Sequence, residues 1–394
     1  MPSRGAGRAV FALRRKLGRV GFVFALVAAA FLVTRGLGFA ALHAGAAKTL
    51  PRFAGGWERH DSDLLQGASP SKLVEPTVRW DALFYIAIAR EGYPPPRVET
   101  VYHVNFFPLY PLIVRGVDSL IDNTFTAALL VSNLCAFAGA LLVGCWRRPG
   151  QRAMDGPRAA VLLLAFPGSH FLSLPYTEGL FLLLVVSSLV ALDRDRPLVS
   201  GLLAGLAGAT RSAGVALAAG LGWAVLERLR KLSMRPGRGQ PWRLLPWLAA
   251  LLISFSGIGA WSYYCHRRYG DALYWMHSQA SFGRKLSAFG VIRGLFAFNV
   301  DPDYYLVTIA CLVLLVLALR RRLDAVNVAG AVLVLLPMAT GTLKAMIRYQ
   351  TVNAPLLQEA PRHLRRWRFP AVVVASTFLM MVEAWLYGRG YGHN

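Results

Sequence analysis

The sequence predicts an all-α polytopic membrane protein of about eleven transmembrane helices, and three observations carry that expectation. Hydrophobic residues make up 55% of the 394 and charged residues only 16%, whereas a soluble protein carries roughly a quarter charged residues. The apolar residues fall in blocks close to the ~20 that a helix needs to cross a ~30 Å hydrocarbon core. The basic residues behind the net charge of +23 sit in short clusters between those blocks, the pattern left when Lys and Arg stay on the cytoplasmic face. A nucleic-acid partner would need a basic face with aromatic or groove-reading elements, and the sequence offers none.

Taken in order, a basic N-terminus over 1–19 leads into the first span at 20–42, too long for a signal-peptide core and without a clear cleavage site, so it reads as a retained helix with a cytoplasmic start. The first extracytoplasmic loop, 43–123, holds the apolar stretches Ala82–Ala89 and Phe106–Val114, too short to span and suited to interfacial helices. Spans follow at 124–146, 159–175, 179–192, 198–210 and 213–227, with Ala209-Thr210-Arg211-Ser212 readable as a break within one longer helix. Short or broken helices are tolerated where protein or water surrounds them. A basic connector from Lys231 to Arg243 precedes the span at 244–264, and a second long outer loop occupies 266–303. The remaining spans are 304–320, 324–343, 346–360 and 369–387, giving one membrane-embedded unit over 1–394.

This alternation gathers Arg14-Arg15-Lys16, Arg147-Arg148, Arg228 to Arg243, Arg320-Arg321-Arg322 and Arg362 to Arg368 inside, and puts most of the 20 acidic residues outside. Cys135, Cys145, Cys265 and Cys311 lie in or beside apolar segments and form no C-x-x-C pair, which points to neither a disulfide framework nor a metal site. Only isolated carboxylates remain as metal ligands, so no cofactor is indicated, although a divalent metal is left open. Asp61-x-Asp63 and Asp301-Pro302-Asp303 have a metal-diphosphate spacing, but one such pair in an acidic loop decides nothing.

The residues able to carry chemistry share the outer side. Arg79-Trp80-Asp81 starts a short amphipathic helix that ends at Gly92-Tyr93-Pro94. An aspartate there is also an ordinary helix cap, accepting backbone N–H bonds at the positive end of the dipole. Pro175-Tyr176-Thr177-Glu178 places a carboxylate between two apolar arms. Charge well inside a bilayer costs roughly 2.5–3.5 kcal/mol on insertion scales, so such an acid faces a cavity or a partner unless it is a solvated turn residue. Arg211 and Arg348 interrupt apolar runs near the same face. Guanidinium groups bind phosphate with paired, charge-assisted bonds, while snorkelling or pairing with Glu178 or Asp81 is the plainer alternative. His103 precedes Phe106-Phe107-Pro108-Leu109-Tyr110, aromatics that also suit a membrane belt. Carboxylates and arginines converging on one face suit sugar transfer from a phosphate-linked donor: a base takes the acceptor proton and cations hold the departing phosphate.

At these residues the chain resembles the GPI mannosyltransferase II (PIG-V) family of GT-C glycosyltransferases, bacterial members included. The matching stretches are Trp80-Asp81 through Ile88-Ala89-x-x-Gly92-Tyr93, Phe106-Phe107-Pro108, Pro175-Tyr176-Thr177-Glu178-Gly179-Leu180-Phe181 and Ala209-Thr210-Arg211-Ser212-x-Gly214. Gly270-Asp271 through Gln279, with Phe282-Gly283-Arg284, is similar to bacterial members, and Ile347-Arg348-Tyr349-Gln350 loosely to the family's final motif. The resemblance implies a GT-C fold, a polyprenyl-phosphate-mannose donor and catalysis outside the cytoplasm, in a multi-pass protein of the cell membrane. It makes Asp81 the expected catalytic base and Glu178 a second catalytic acidic residue. Arg211, Arg348 and Arg79 become donor-phosphate ligands, with Trp80, His103 and Tyr176 as substrate-binding residues. The expected acceptor is a hydroxyl of a glycolipid, glycan or protein; the GPI anchor itself does not carry over. Another polyprenyl-phosphate sugar as donor, or a lipid-linked sugar flippase, are the competing readings.

Overall fold

The computed structural model describes residues 4–47, 65, 68, 70–96, 100–234, 241–297, 300–364 and 367–391, and these are helical throughout, joined by turns and without strands. The principal helices are α1 (Arg4–Ala46), α2 (Asp81–Glu91), α3 (Leu109–Ile121), α4 (Thr124–Cys145), α5 (Asp155–Ala165), α6 (Glu178–Asp193), α7 (Pro197–Thr210), α8 (Val215–Ser233), α9 (Leu245–Ile253), α10 (Ser256–Tyr269), α11 (Pro302–Arg321), α12 (Ala325–Met338), α13 (Met346–Gln350), α14 (Ala354–His363) and α15 (Arg368–Arg389).

By length and composition, six of the described helices can cross a membrane: Gly18–Ala46, Thr124–Cys145, Ser212–Ser233, Trp242–Tyr269, Pro302–Arg321 and Arg368–Arg389. A seventh arises if Pro167–Ser173 and Glu178–Asp193, bent by 102°, count as one broken span. The expected eleven apolar segments are all helical, but among the described residues only six or seven are long and apolar enough to cross on their own. Pro197–Thr210 and Ala325–Met338 are apolar yet shorter, and the 346–360 segment is two helices, α13 and α14, rather than one. Its polar residues explain the break: Asn353 donates to the Gly330 carbonyl (3.1 Å) and to Gln350 Oε1 (2.9 Å), and Gln358 donates to the Val143 carbonyl (2.8 Å). Hydropathy reads burial, and burial against protein looks the same as burial in lipid.

The segment between α1 and α4 also departs from expectation. Every residue from Ala82 to Ala89 is buried, so α2 is enclosed by protein instead of lying half-immersed at an interface. One neighbour is α15, which approaches α1 closely enough that a Cβ on Gly45 would sit 2.1 Å from the Trp385 carbonyl oxygen, and one on Gly388 2.1 Å from that of Leu42. Small residues let helix backbones approach in this way. The contact brings the end of α15 over the start of α2, where Trp80 and Tyr387 meet with ring centroids 4.7 Å apart.

Arg35 lies inside α1 and is only 7% exposed. It is held by uncharged groups: Nη1 donates to the Ser169 carbonyl and to Ser173 Oγ (3.3 Å), and Nη2 to the Leu164 carbonyl (2.8 Å) and Ser169 Oγ (2.9 Å). These partners belong to the irregular turn that ends α5 and leads into α6.

Contacts at the helix ends define two poles. Arg211, just past α7, bonds Glu178 at the start of α6, whereas Arg228 near the end of α8 bonds Asp195 between α6 and α7. So α6, α7 and α8 run alternately between the poles. At the second pole Trp146 donates to Asp193 Oδ2 (3.0 Å), Arg148 pairs with Asp324 (2.8 Å), and Arg321 and Arg362 both donate to the Gly150 carbonyl (3.3 and 2.9 Å). The basic clusters at 147–148, 320–322 and 362 therefore gather at one end, opposite Glu178 and Arg211.

Candidate active site

The site is assembled by three irregular joints. At the first, Trp80 adopts φ 50°, ψ −119°, a conformation that costs a non-glycine residue on the order of 1–3 kcal/mol and persists only where its surroundings impose it. Here they do: the Tyr176 and Tyr387 hydroxyls donate to the Arg79 carbonyl (3.0 and 3.3 Å), and the Trp80 ring packs on Tyr387. The turn aims Asp81 away from its own helix. No side chain caps α2, so the helix-cap reading of Asp81 fails.

At the second joint the bend after Pro167–Ser173 delivers Tyr176, Thr177 and Glu178. Glu178 is neither solvated nor a cap; it is fully buried, and no side chain caps α6. At the third, Ala345 is left-handed (φ 64°) immediately before α13 and turns Arg348 inward, with its guanidinium 4.5 Å from the Tyr176 ring centre and 5.4 Å from that of Phe171.

These joints bring four expected residues into one chain of alternating charge. Arg211 Nη1 and Arg348 Nε both donate to Glu178 Oε1, and Arg348 Nη1 donates to Asp81 Oδ2. Two carboxylates and two guanidiniums balance, as buried charges must. Burial opposes the Arg348 charge, yet Glu178 and Asp81 raise its pKa well above the ordinary value. Side-chain exposure is 0% for Glu178, 7% for Arg348, 14% for Arg211 and greatest, 23%, for Asp81. Asp81 is thus the carboxylate a substrate can reach, and its Oδ1 accepts no hydrogen bond among the described residues. Glu178 Oε2 likewise has no partner there.

Two further residues join the site, both in stretches that resemble the family but neither with a role expected from sequence. Tyr349 follows Arg348, and its ring lies between the guanidiniums of Arg211 (5.0 Å) and Arg284 (5.7 Å). Arg284 Nη1 donates to the Tyr349 hydroxyl (2.7 Å). The available signal was the Phe282-Gly283-Arg284 stretch, but one arginine among the charges of a polar loop does not stand out.

The other expected residues sit around this chain. Tyr176 lies under Arg348 and also fixes the Arg79 carbonyl; Trp80 forms the strained turn. The Arg79 guanidinium points toward the end of α15, where a Cβ on Gly390 would lie 3.6 Å from Nη1. His103 packs edge-on against Phe84 (5.2 Å), one turn along α2 from Asp81. Among the described residues no three His, Cys, Asp or Glu side chains form a metal-binding group. Asp61 and Asp63 lie outside the described residues, as do 235–240 of the basic connector.

Comparison with known proteins bears directly on this site. The profile of the mannosyltransferase (PIG-V) family matches residues 61–269, which includes Asp81, Glu178 and Arg211. GPI alpha-1,6-mannosyltransferase 2 of Mus musculus is 29% identical over 209 residues, covering 48% of this chain and 40% of the mouse protein. Its Rattus norvegicus counterpart is 31% identical over 169 residues, covering 39% of this chain and 33% of the rat protein. The matched region therefore spans less than half the length of these relatives. With the family profile extending over more than half of its residues, this chain belongs to the PIG-V mannosyltransferase family.

Proposed function

We propose that the protein is a membrane mannosyltransferase that moves mannose from a polyprenyl-phosphate-mannose donor to a hydroxyl of a glycolipid, glycan or protein, with inversion at the sugar carbon. The observation that carries this reading is the chain Arg211–Glu178–Arg348–Asp81, fully buried at Glu178 and most exposed at Asp81. Asp81 Oδ1 takes the proton of the acceptor hydroxyl while its Oδ2 stays bonded to Arg348, which keeps the carboxylate correctly turned. The acceptor oxygen bonds to the sugar C1 as the C1–O bond to phosphate breaks and its electron pair leaves with the phosphate. The transition state has oxocarbenium character, and the leaving phosphate gains negative charge that fixed cations stabilise. Glu178 holds both Arg211 and Arg348 in place. The basic clusters at the opposite pole support an extracytoplasmic site, because Lys and Arg stay on the cytoplasmic side. Polar groups gathered at the poles also favour a transferase over a transporter, whose polar residues would line a path between them.

The test is transfer of radiolabelled mannose from polyprenyl-phosphate-mannose to endogenous acceptors in membranes carrying wild type or Asp81→Asn, with GDP-mannose as control donor. Loss of about 10²–10⁴ in the mutant's rate is expected for a missing general base. Transfer at the wild-type rate would remove Asp81 from that role.

A further inference from the structure

We propose that Arg284 binds the phosphate of the lipid-linked donor, with the Tyr349 hydroxyl as its second donor group; this deepens the mannosyltransferase reading and rests on it. The cations expected for the task, Arg211 and Arg348, are already neutralised by Glu178 and Asp81. An anion approaching a balanced set meets little net attraction. Arg284 has no carboxylate partner among the described residues, and of its five N–H groups only one at Nη1 is engaged. Because the Tyr349 oxygen accepts that bond, its own proton remains to donate to a phosphate oxygen.

The position of Arg284 is built. Its backbone N–H donates to the Gln279 carbonyl (3.1 Å), and Gly283 before it is left-handed, φ 67°. The same turn is tied to the first outer segment, since Gln279 Nε2 and Ser278 Oγ both donate to Asn105 Oδ1. Tyr349 then links Arg284 to Arg211 and so to the carboxylate chain. A phosphodiester carries one negative charge. When its bond to C1 breaks, the electron pair stays on the phosphate oxygen and the charge approaches two, so an arginine here holds the product tighter than the substrate.

The experiment measures donor KM and inhibition by the product polyprenyl phosphate in membranes carrying wild type, Arg284→Ala, Arg284→Lys or Tyr349→Phe. Loss of one charged hydrogen-bond donor is expected to raise donor KM and weaken product inhibition about tenfold or more in Arg284→Ala, with partial recovery in Arg284→Lys and an unchanged acceptor KM. Donor KM and inhibition both within about twofold of wild type would overturn the assignment. Should Arg284→Ala fail to accumulate, unchanged values in both Arg284→Lys and Tyr349→Phe overturn it equally. If wild type transfers no mannose, the enzyme reading fails separately, and binding of polyprenyl phosphate to purified wild type and Arg284→Ala decides the question: about tenfold weaker binding supports it and equal binding refutes it.

Discussion

The two poles of the molecule each hold a buried arginine–carboxylate pair, and they are built differently. At the basic pole Arg148 grips both oxygens of Asp324 (3.0 and 2.8 Å) and also Asn327 Oδ1 (2.8 Å), while Asp324 caps α12 by accepting from the Asn327 N–H (3.0 Å). Gln151 and Gln358 extend the set with a 2.7 Å bond. Each group there finishes a helix end or ties two helices together. At the other pole Asp81 and Glu178 open their helices without capping them, and each leaves one carboxylate oxygen unbonded among the described residues. Trp80 and Ala345, non-glycine residues with positive φ, stand directly before α2 and α13; at the basic pole the one such residue among those described is Asp195, an aspartate, a type that tolerates this backbone more readily. The same chemical pair is a staple where the carboxylate serves the backbone, and a poised site where the backbone is strained to hold the carboxylate free.

That contrast is open to direct attack. Glu178→Gln leaves the buried Arg348 and the largely buried Arg211 without their shared counter-charge, and removing one partner of a buried pair costs about 3–5 kcal/mol. A large fall in melting temperature in detergent, with transfer lost from the molecules that remain folded, is expected. Asp324→Asn keeps a side-chain oxygen to cap α12 and sits at the edge of its network, 12% exposed. Its expected cost is about 1–3 kcal/mol, the value of charge-assisted bonds, with transfer per folded molecule unchanged. Equal losses of activity in the two variants would erase the distinction between the poles.

Ala345→Gly tests the strain. Left-handed backbone costs a residue with a Cβ about 1–2 kcal/mol, partly offset by glycine's greater freedom when unfolded. A stability gain of up to about 1 kcal/mol is expected, with slower transfer as Arg348 loses its fixed direction. The smallest effect concerns the segment between α10 and α11, where the His277 ring and the Leu273 N–H hold the Asp271 carboxyl below the ordinary carboxylate value. A depressed pKa means the contribution is complete above the unfolded value of about 3.9 and is lost as pH falls through the folded one. Trp275 fluorescence should report that change, and in His277→Ala it should move up toward pH 4.

Asp81, Glu178, Arg211 and Arg348 were legible because a charge in an apolar run is costly and so stands out. Pairing of the arginines with Glu178 or Asp81 was one of the readings the sequence offered, and the ion pairs bear it out, but Glu178 as the hub for both arginines is a fact of geometry. Arg79 shows the limit from the other side, since its place next to Asp81 in sequence does not fix the direction of its guanidinium, which lies toward the end of α15. The helical segments were read almost in full, whereas their spanning count was not. Helices such as α14, with Leu356, Leu357, Gln358 and Glu359 all buried, answer to protein neighbours and need no membrane-length apolar run.

Arg35 has a consequence for how the chain is made. The carbonyls that receive its guanidinium belong to Leu164 and Ser169, 129 and 134 residues later in the chain. While α1 inserts alone, that charge sits in or beside lipid at a cost of roughly 2.5–3.5 kcal/mol. The first helix therefore lacks a partner for that charge until the turn after α5 is in place. Nascent chains truncated before residue 164 should hold α1 loosely in the bilayer, and those extended past Ser173 should lock it.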